Sequence, residues 1–596
     1  MIILNNIRKV INTVIKIACI LLFGFMVIIG TYQILVRYIF NNPSTISEEL
    51  LTYSFTWMSL FAAAYVFGKR EHMRMGFLAD KLSSKKLTIL NVIIEIITIA
   101  FALIVMVYGG VSITSLSMTQ KTASLGIPMG YIYSASNNWN NHYTIWDFKY
   151  YRSYQERRKC MSIAWLSGLI ILVILVIMLI AGVPIAISLA VSSICAILPV
   201  LSTEPALITG AQRIFSGISV FNLIAIPFFI LAGNIMNRGG IAIKLINFAK
   251  IFTGRIPGSL AHTNVVANML FGAISGSGTA AASAMGAIIG PVEEKEGYDK
   301  NFSAAVNIAT APTGLLIPPS NVMITFAMVS GGTSIAALFM AGYIPGILWG
   351  IACMVVIYLY AKKRGYTSNK HYALKEKTKI IIEALPCLLM IVIVIGGIIG
   401  GIFTATEGAI VAVVYSLILS LVFYKSIKIS ELPKLLVDSA EMTGIIIFLI
   451  GVSSIMSWVM AFTGIPAAIS GVMLGISNNK YVILLIINVI LLIVGTFMDM
   501  TPACLIFTPI FLPICQAIGM NTIHFGIMMI FNLCIGTITP PVGTTLFVGV
   551  KVGKTKIEDV IKPLLYHFAV IFIVLLLVTY IPALSLWLPG LLGYVK

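Results

Sequence analysis

The chain has 596 residues, of which 59% are hydrophobic and only 10% charged, and its mean hydropathy is +1.01. Soluble domains carry roughly 25% charged residues, so this composition cannot cover a water-facing surface and has to face lipid. That excludes a soluble enzyme, a disordered chain and a secreted disulfide scaffold, and the long continuous apolar runs exclude a β-barrel. The net charge of +18 comes from basic residues scattered through short connections, the pattern of cytoplasmic loops rather than of a nucleic-acid surface. At about 20 residues per crossing, the apolar fraction bounds the number of spans at roughly 17.

In chain order, residues 1–110 hold three apolar runs, predicted as helices near 10–36, 50–68 and 88–110. Arg8, Lys9 and Lys16 precede the first, and Lys69, Arg70, Arg74, Lys81, Lys85 and Lys86 fill the gap after the second. The positive-inside rule puts both groups in the cytoplasm, with two crossings between them. The first run is too long for a signal peptide and reads as a retained helix. The eight cysteines form no C-x-x-C and lie mostly within apolar runs, so neither a disulfide framework nor a zinc site is expected.

Residues 137–160, NNWNNHYTIWDFKYYRSYQERRKC, interrupt this pattern. The stretch is polar, aromatic and basic, and would not cross a bilayer unaided. It reads either as a linker between residues 1–136 and 161–596 or as a helix replaced by a frameshift. A one-base shift turns its codons largely into those for Ile, Met and Thr, and allows a stop where Met161 would restart. Resequencing the source DNA distinguishes the two.

From Met161 onward the apolar runs are dense, and an internal repeat emerges. At an offset of 222 residues, Thr279 falls on Thr501, Pro291 on Pro513, Gly297 on Gly519, Gly314 on Gly536, and Pro318 and Pro319 on Pro540 and Pro541. Each copy has a Gly/Ser/Thr-rich break followed by a short apolar run, and then a G-x-x-x-P-P break inside another apolar run. Pro removes a backbone donor and Gly costs backbone entropy, so both interrupt helices. At membrane depth such breaks survive only where they line a protein cavity, and paired breaks in two halves point to a secondary transporter. The expected elements are two re-entrant hairpins and two discontinuous helices.

Unwound backbone offers carbonyls to Na⁺, while half-helix N-termini favour a carboxylate. The polar candidates at the breaks are Ser275, Ser277, Thr279, Ser320, Asn321 and Thr325 in the first copy. In the second they are Thr496, Asp499, Thr501, Thr537, Thr539, Thr544 and Thr545. Asp499 is the sharpest, because an intramembrane carboxylate is costly and marks a functional site by default. Glu407, in GIFTATEGA, is expected to cap or orient a helix start. No P-loop, voltage-sensor ladder or catalytic acid–base pair occurs, so neither ATP, nucleic acid nor catalysis is expected.

The text SGSGTA, PTGLLIPPSN, GIFTATEGA, GTFMDMTP and TPPVG makes residues 161–596 resemble the large membrane subunit of tripartite ATP-independent periplasmic (TRAP) transporters. RYIFNNP with the two glutamates near 37–49, and LGIP at 125–128, make the N-terminal part resemble the small subunit. The family's fourth small-subunit helix is expected at 137–160, where the sequence departs from it.

The resemblance implies an all-α polytopic protein of the bacterial inner membrane, an inverted-repeat elevator with a small helical scaffold domain. It implies Na⁺-driven import of a carboxylated solute, most like sialic acid, delivered by a periplasmic substrate-binding protein. C4-dicarboxylate uptake, or transport without a binding protein, stand as alternatives. It further implies Na⁺ sites at Ser275, Gly278, Gly314 and Ile317, and at Gly495, Met498, Asp499, Thr501, Gly536 and Thr539. Substrate would lie between them, near Ser277, Ser320, Asn321 and Thr544.

Overall fold

The computed structural model describes residues 2–69, 71–74, 82, 84–134, 156–366, 373–476, 479–540 and 543–595. Among these residues the architecture is helical, with isolated β-bridges and no strand. Twelve helices are long and apolar enough to cross a membrane, or thirteen if the bent pair Lys300–Leu316 and Asn321–Val329 counts as one span. This is fewer than the compositional bound because shorter helices, such as Ile185–Ile197, Thr522–Thr537 and Thr544–Gly553, absorb apolar residues without meeting the length of a crossing.

The chain divides into two compact units. The first comprises Met1–Ile224, Leu436–Ile476 and Pro509–Ile514. The three predicted N-terminal runs are helices Ile2–Tyr38, Thr45–Lys69 and a continuous stretch from Ser84 to Leu116 that turns π-helical over Ala102–Gly109. Small residues let these helices lie close to later parts of the same unit. A Cβ on Gly444 would sit 2.6 Å from the carbonyl carbon of Ala62, and one on Gly109 would sit 2.7 Å from Cβ of Ala211. Lys69 pairs with Glu441, and the Thr56 and Ser219 hydroxyls approach to 3.4 Å. The N-terminal helices and helices on either side of the repeat therefore form one packed body.

The two sequence features singled out near 37–49 and 125–128 meet in this unit. The carboxylate of Glu49 accepts the backbone N–H of Ser124 and of Leu125, each at 2.9 Å. Glu48 accepts from the Gln33 amide at 3.3 Å. Two charge-assisted bonds to a loop backbone contribute about 1.5–3 kcal/mol each. Glu49→Ala is therefore expected to lower the thermal unfolding temperature of the purified protein, while Glu49→Gln, which keeps one acceptor, recovers part of the loss. Equal unfolding temperatures for wild type and Glu49→Ala would remove this tie from the account.

The stretch 137–155, which carries most of the proposed linker or frameshifted helix, lies outside the described residues. The next helix runs Glu156–Ile180 and so begins ahead of Met161.

The second unit comprises Ala225–Leu435, Ser477–Thr508 and Cys515–Lys596. It contains both copies of the repeat apart from Pro509–Ile514, within the helix Met500–Ala517, which counts with the first unit. Hairpin 1 has arms Ser259–Ser275 and Gly278–Lys295. Broken helix 1 follows as Lys300–Thr310, Thr313–Leu316 and Asn321–Val329. Hairpin 2 has arms Lys480–Phe497 and Met500–Ala517. Broken helix 2 follows as Thr522–Thr537 and Thr544–Gly553. An apolar cluster of Leu260, Val265, Tyr298, Phe302, Val306 and Ile357 fixes the base of hairpin 1 against the start of its broken helix. Glu407 is a helix cap, as expected for one of its two readings. Its carboxylate accepts the Thr404 N–H at 2.8 Å, while its own N–H donates to the Thr404 hydroxyl at 3.3 Å.

Candidate functional site

The first half of the site begins at the tip of hairpin 1. Gly276 adopts φ +59°, a left-handed conformation that ends the first arm at Ser275. Ser277 then caps the second arm, its hydroxyl accepting the Ala280 N–H at 3.3 Å and lying 3.1 Å from the Thr279 hydroxyl. The break in broken helix 1 spans Ile317–Ser320. Pro318 and Pro319 bring no N–H, and the carbonyls of Ile317, Pro318 and Pro319 accept no backbone hydrogen bond from the described residues. Ser320 Oγ and Asn321 Oδ1 are buried without a hydrogen-bond partner. A Cβ on Gly276 would lie 3.4 Å from both the Asn321 side-chain nitrogen and the Pro319 carbonyl, so tip and break face each other. Buried polar atoms left without partners are costly, which makes this face a candidate for ligand contact.

The second half repeats the plan with a charge added. The arms of hairpin 2 part at Met498 and Asp499. The Thr544 hydroxyl, in the first turn after the second break, donates to Asp499 Oδ1 at 3.1 Å. At the second break a Cβ on Gly543 would lie 2.8 Å from the carbonyl oxygens of both Thr537 and Thr539. A carboxylate and these backbone carbonyls are all hard oxygen donors, the set that suits an alkali cation.

In both copies hairpin and broken helix cross at paired glycines. A Cβ on Gly272 would be 2.5 Å from Gly314 Cα, and a Cβ on Gly314 would collide with the backbone of Gly272. In the second copy a Cβ on Gly536 would lie 2.6 Å from the Gly495 backbone. The two halves also meet each other. A Cβ on Gly278 would lie 3.4 Å from the Thr545 hydroxyl. Cys534 Sγ lies 3.9 Å from the carbonyl of Pro312, which is the equivalent position 222 residues earlier.

Ser275, Ser277, Gly278, Gly314, Ile317, Ser320 and Asn321 thus cluster in one half, and Gly495, Met498, Asp499, Gly536, Thr539 and Thr544 in the other. Thr501 is buried in the first turn of the second arm of hairpin 2. Thr544, expected beside the substrate, also bonds Asp499. The hydroxyls of Thr325, Thr496, Thr537 and Thr539 donate to their own helix backbone at Asn321, Ile493, Cys534 and Ile535. Thr537 and Thr539 still present their carbonyls, that of Thr539 already accepting the Gly543 N–H at 3.1 Å. Gly272 was missed, because its counterpart Gly495 lies 223 residues on, one out of register with the repeat.

Residues 171–584 match the family described as tripartite ATP-independent periplasmic transporter, DctM component. Residues 26–136 match that described as the DctQ component. The uncharacterized protein YgiK of Salmonella typhimurium is 52% identical over 415 residues, which is 70% of this chain and 95% of that protein. The isethionate TRAP transporter permease protein DctMQ of Oleidesulfovibrio alaskensis is 33% identical over 600 residues, covering 95% of this chain and 93% of its own. The sialic acid TRAP transporter large permease protein SiaM of Vibrio cholerae is 37% identical over 418 residues, 70% of this chain and 97% of its own. Among solved structures, the YdaH transporter of Alcanivorax borkumensis shares the fold, with a TM-score of 0.52 and 12% identity over 70% of this chain and 97% of its own. The chain belongs to the TRAP transporter permeases, a multi-pass transport component of the inner membrane that carries DctQ and DctM parts in one polypeptide.

Proposed function

We propose that this permease imports a carboxylated solute in symport with Na⁺, receiving it from a periplasmic substrate-binding protein. The observation that carries the reading is the paired, oxygen-rich breaks. Asp499 with the Thr537 and Thr539 carbonyls supplies one cation site, and the unpartnered carbonyls near Ile317 supply the groups for a second. The buried Ser320 hydroxyl and Asn321 amide oxygen, beside Ser277 and the hairpin 1 tip, supply polar contacts for the solute. Elevator motion is supported by the membership of the two units: every candidate site residue belongs to one, and the DctQ part to the other.

Sialic acid is the solute to test first, because the large part is similar to a permease named for it. The permease named for isethionate supplies the competing anion, since it matches over 95% of this chain. Uptake of labelled sialic acid into proteoliposomes, with the cognate binding protein outside and against labelled succinate and isethionate, discriminates them. Uptake of sialic acid that needs the binding protein is expected. Uptake of succinate or isethionate alone would replace the solute. Equal uptake without the binding protein would place the chain among two-component carriers.

A further inference from the structure

Away from the breaks, each repeat buries a small polar cluster where hairpin and broken helix pack. In the first copy Asn268 lies on the first arm of hairpin 1 and Asn307 on broken helix 1, 0% and 2% exposed. The Asn268 side-chain nitrogen lies 2.7 Å from Asn264 Oδ1, 3.1 Å from Asn307 Oδ1 and 3.0 Å from the Thr310 hydroxyl. Asn307 in turn donates to the carbonyl of Ala282, on the second arm, at 2.8 Å. One side chain of the broken helix thus holds both arms. Gly286 leaves room for it, since a Cβ there would lie 2.7 Å from the Asn307 amide nitrogen.

The second copy solves the same problem with a different amide pair, Asn532 standing where the first copy has Thr310. Asn532 of broken helix 2 donates to the side chain and to the backbone carbonyl of Asn488, on the first arm of hairpin 2, at 2.8 and 3.0 Å. Asn488 donates onward to Thr579 at 3.2 Å. Leu in place of these amides would fill such space at no desolvation cost, so a buried amide pair in each copy indicates a demand for one fixed register rather than for bulk stability.

The clamps sit six to ten residues ahead of the breaks they serve, about 9–15 Å along the helix. We propose that Asn268–Asn307 and Asn488–Asn532 are positioning pairs: they lock each hairpin to its own broken helix so that tip and break hold their oxygen donors at a fixed spacing for the coupling cation. The functional half of this inference rests on the Na⁺-symport reading; the mechanical half does not.

The test uses the full chain in nanodiscs and in proteoliposomes. Asn307→Leu and Asn532→Leu break one clamp each. Asn307→Asp keeps the acceptor for Asn268 and loses the bond to Ala282, and Gly286→Ala displaces the Asn307 amide without removing it. Hydrogen exchange read by mass spectrometry should rise over residues 270–282 in Asn307→Leu and Gly286→Ala, and over 490–503 in Asn532→Leu, each leaving the other tip unchanged. The Na⁺ concentration for half-maximal uptake should rise about fivefold, the effect of losing one net hydrogen bond, with Asn307→Asp intermediate. Unchanged exchange at the matching tip overturns the clamps, whatever uptake shows. Faster exchange with an unchanged Na⁺ requirement overturns their positioning role and leaves them as structural packing. A wild type indifferent to Na⁺ rejects the symport reading instead, and the exchange result still decides the clamps.

Discussion

Asp499→Ala is expected to lower Na⁺-driven uptake by on the order of 100-fold at unchanged yield and unfolding temperature. Asp499 supplies the only side-chain charge among the candidate site residues, and the Thr544 hydroxyl orients it at 3.1 Å. Removing one member of a desolvated charge pair costs about 3–5 kcal/mol, and each 1.4 kcal/mol is tenfold. The cation would be that partner here. Asp499→Asn separates charge from shape, because it keeps an acceptor for Thr544 and nearly the same volume. The account expects it to fail almost as fully as alanine. Uptake by Asp499→Asn with the wild-type Na⁺ dependence would remove the carboxylate from the cation site.

Gly314→Ala is expected to reduce uptake at least tenfold and to lower the unfolding temperature. Its methyl group would strike the Gly272 backbone, and backbone cannot rotate aside as a side chain does. Overpacking of this kind costs about 1–3 kcal/mol, and relief requires hairpin 1 to move off broken helix 1, which separates Ser275–Gly278 from Ile317–Asn321. Gly536→Ala should act likewise through Gly495. Gly24→Ala, inside the helix Ile2–Tyr38, is the control: apart from its chain neighbours nothing lies within 4 Å of its Cβ, and in a helix the change is expected to be neutral or stabilising by roughly 0.5–1 kcal/mol. Wild-type uptake in Gly314→Ala would show that the crossing has slack the geometry does not reveal.

The architecture of the repeat was legible because the residues that break helices announce themselves. Gly276 with Ser277, and Pro318 with Pro319, can hardly be read as helix interior, and the recurrence of Gly314, Pro318 and Pro319 at 222 residues exposed the duplication. What the sequence could not reveal was which hydroxyls are spent. A Thr in a helix bonds its own backbone or faces a cavity according to its rotamer, so Thr325 and Thr496 looked as promising as Ser320. Gly272 hid behind a one-residue slip in the register. The asparagine clamps lie in apolar runs away from any break, and no clamp asparagine of one copy falls on an asparagine of the other. Glu49 was visible only as part of a motif, and its role required the loop at Ser124 and Leu125 to fold back onto it.

If a Na⁺ gradient drives this permease, as proposed, proteoliposomes supplied with labelled solute and the cognate binding protein show it without ATP when an inward Na⁺ gradient is compared with an equal K⁺ gradient. Accumulation above equilibrium is expected only with Na⁺ outside, lost on dissipating the gradient and absent in Asp499→Asn. Accumulation of the same size with K⁺, or persisting after Na⁺ is equalised, would contradict the proposal.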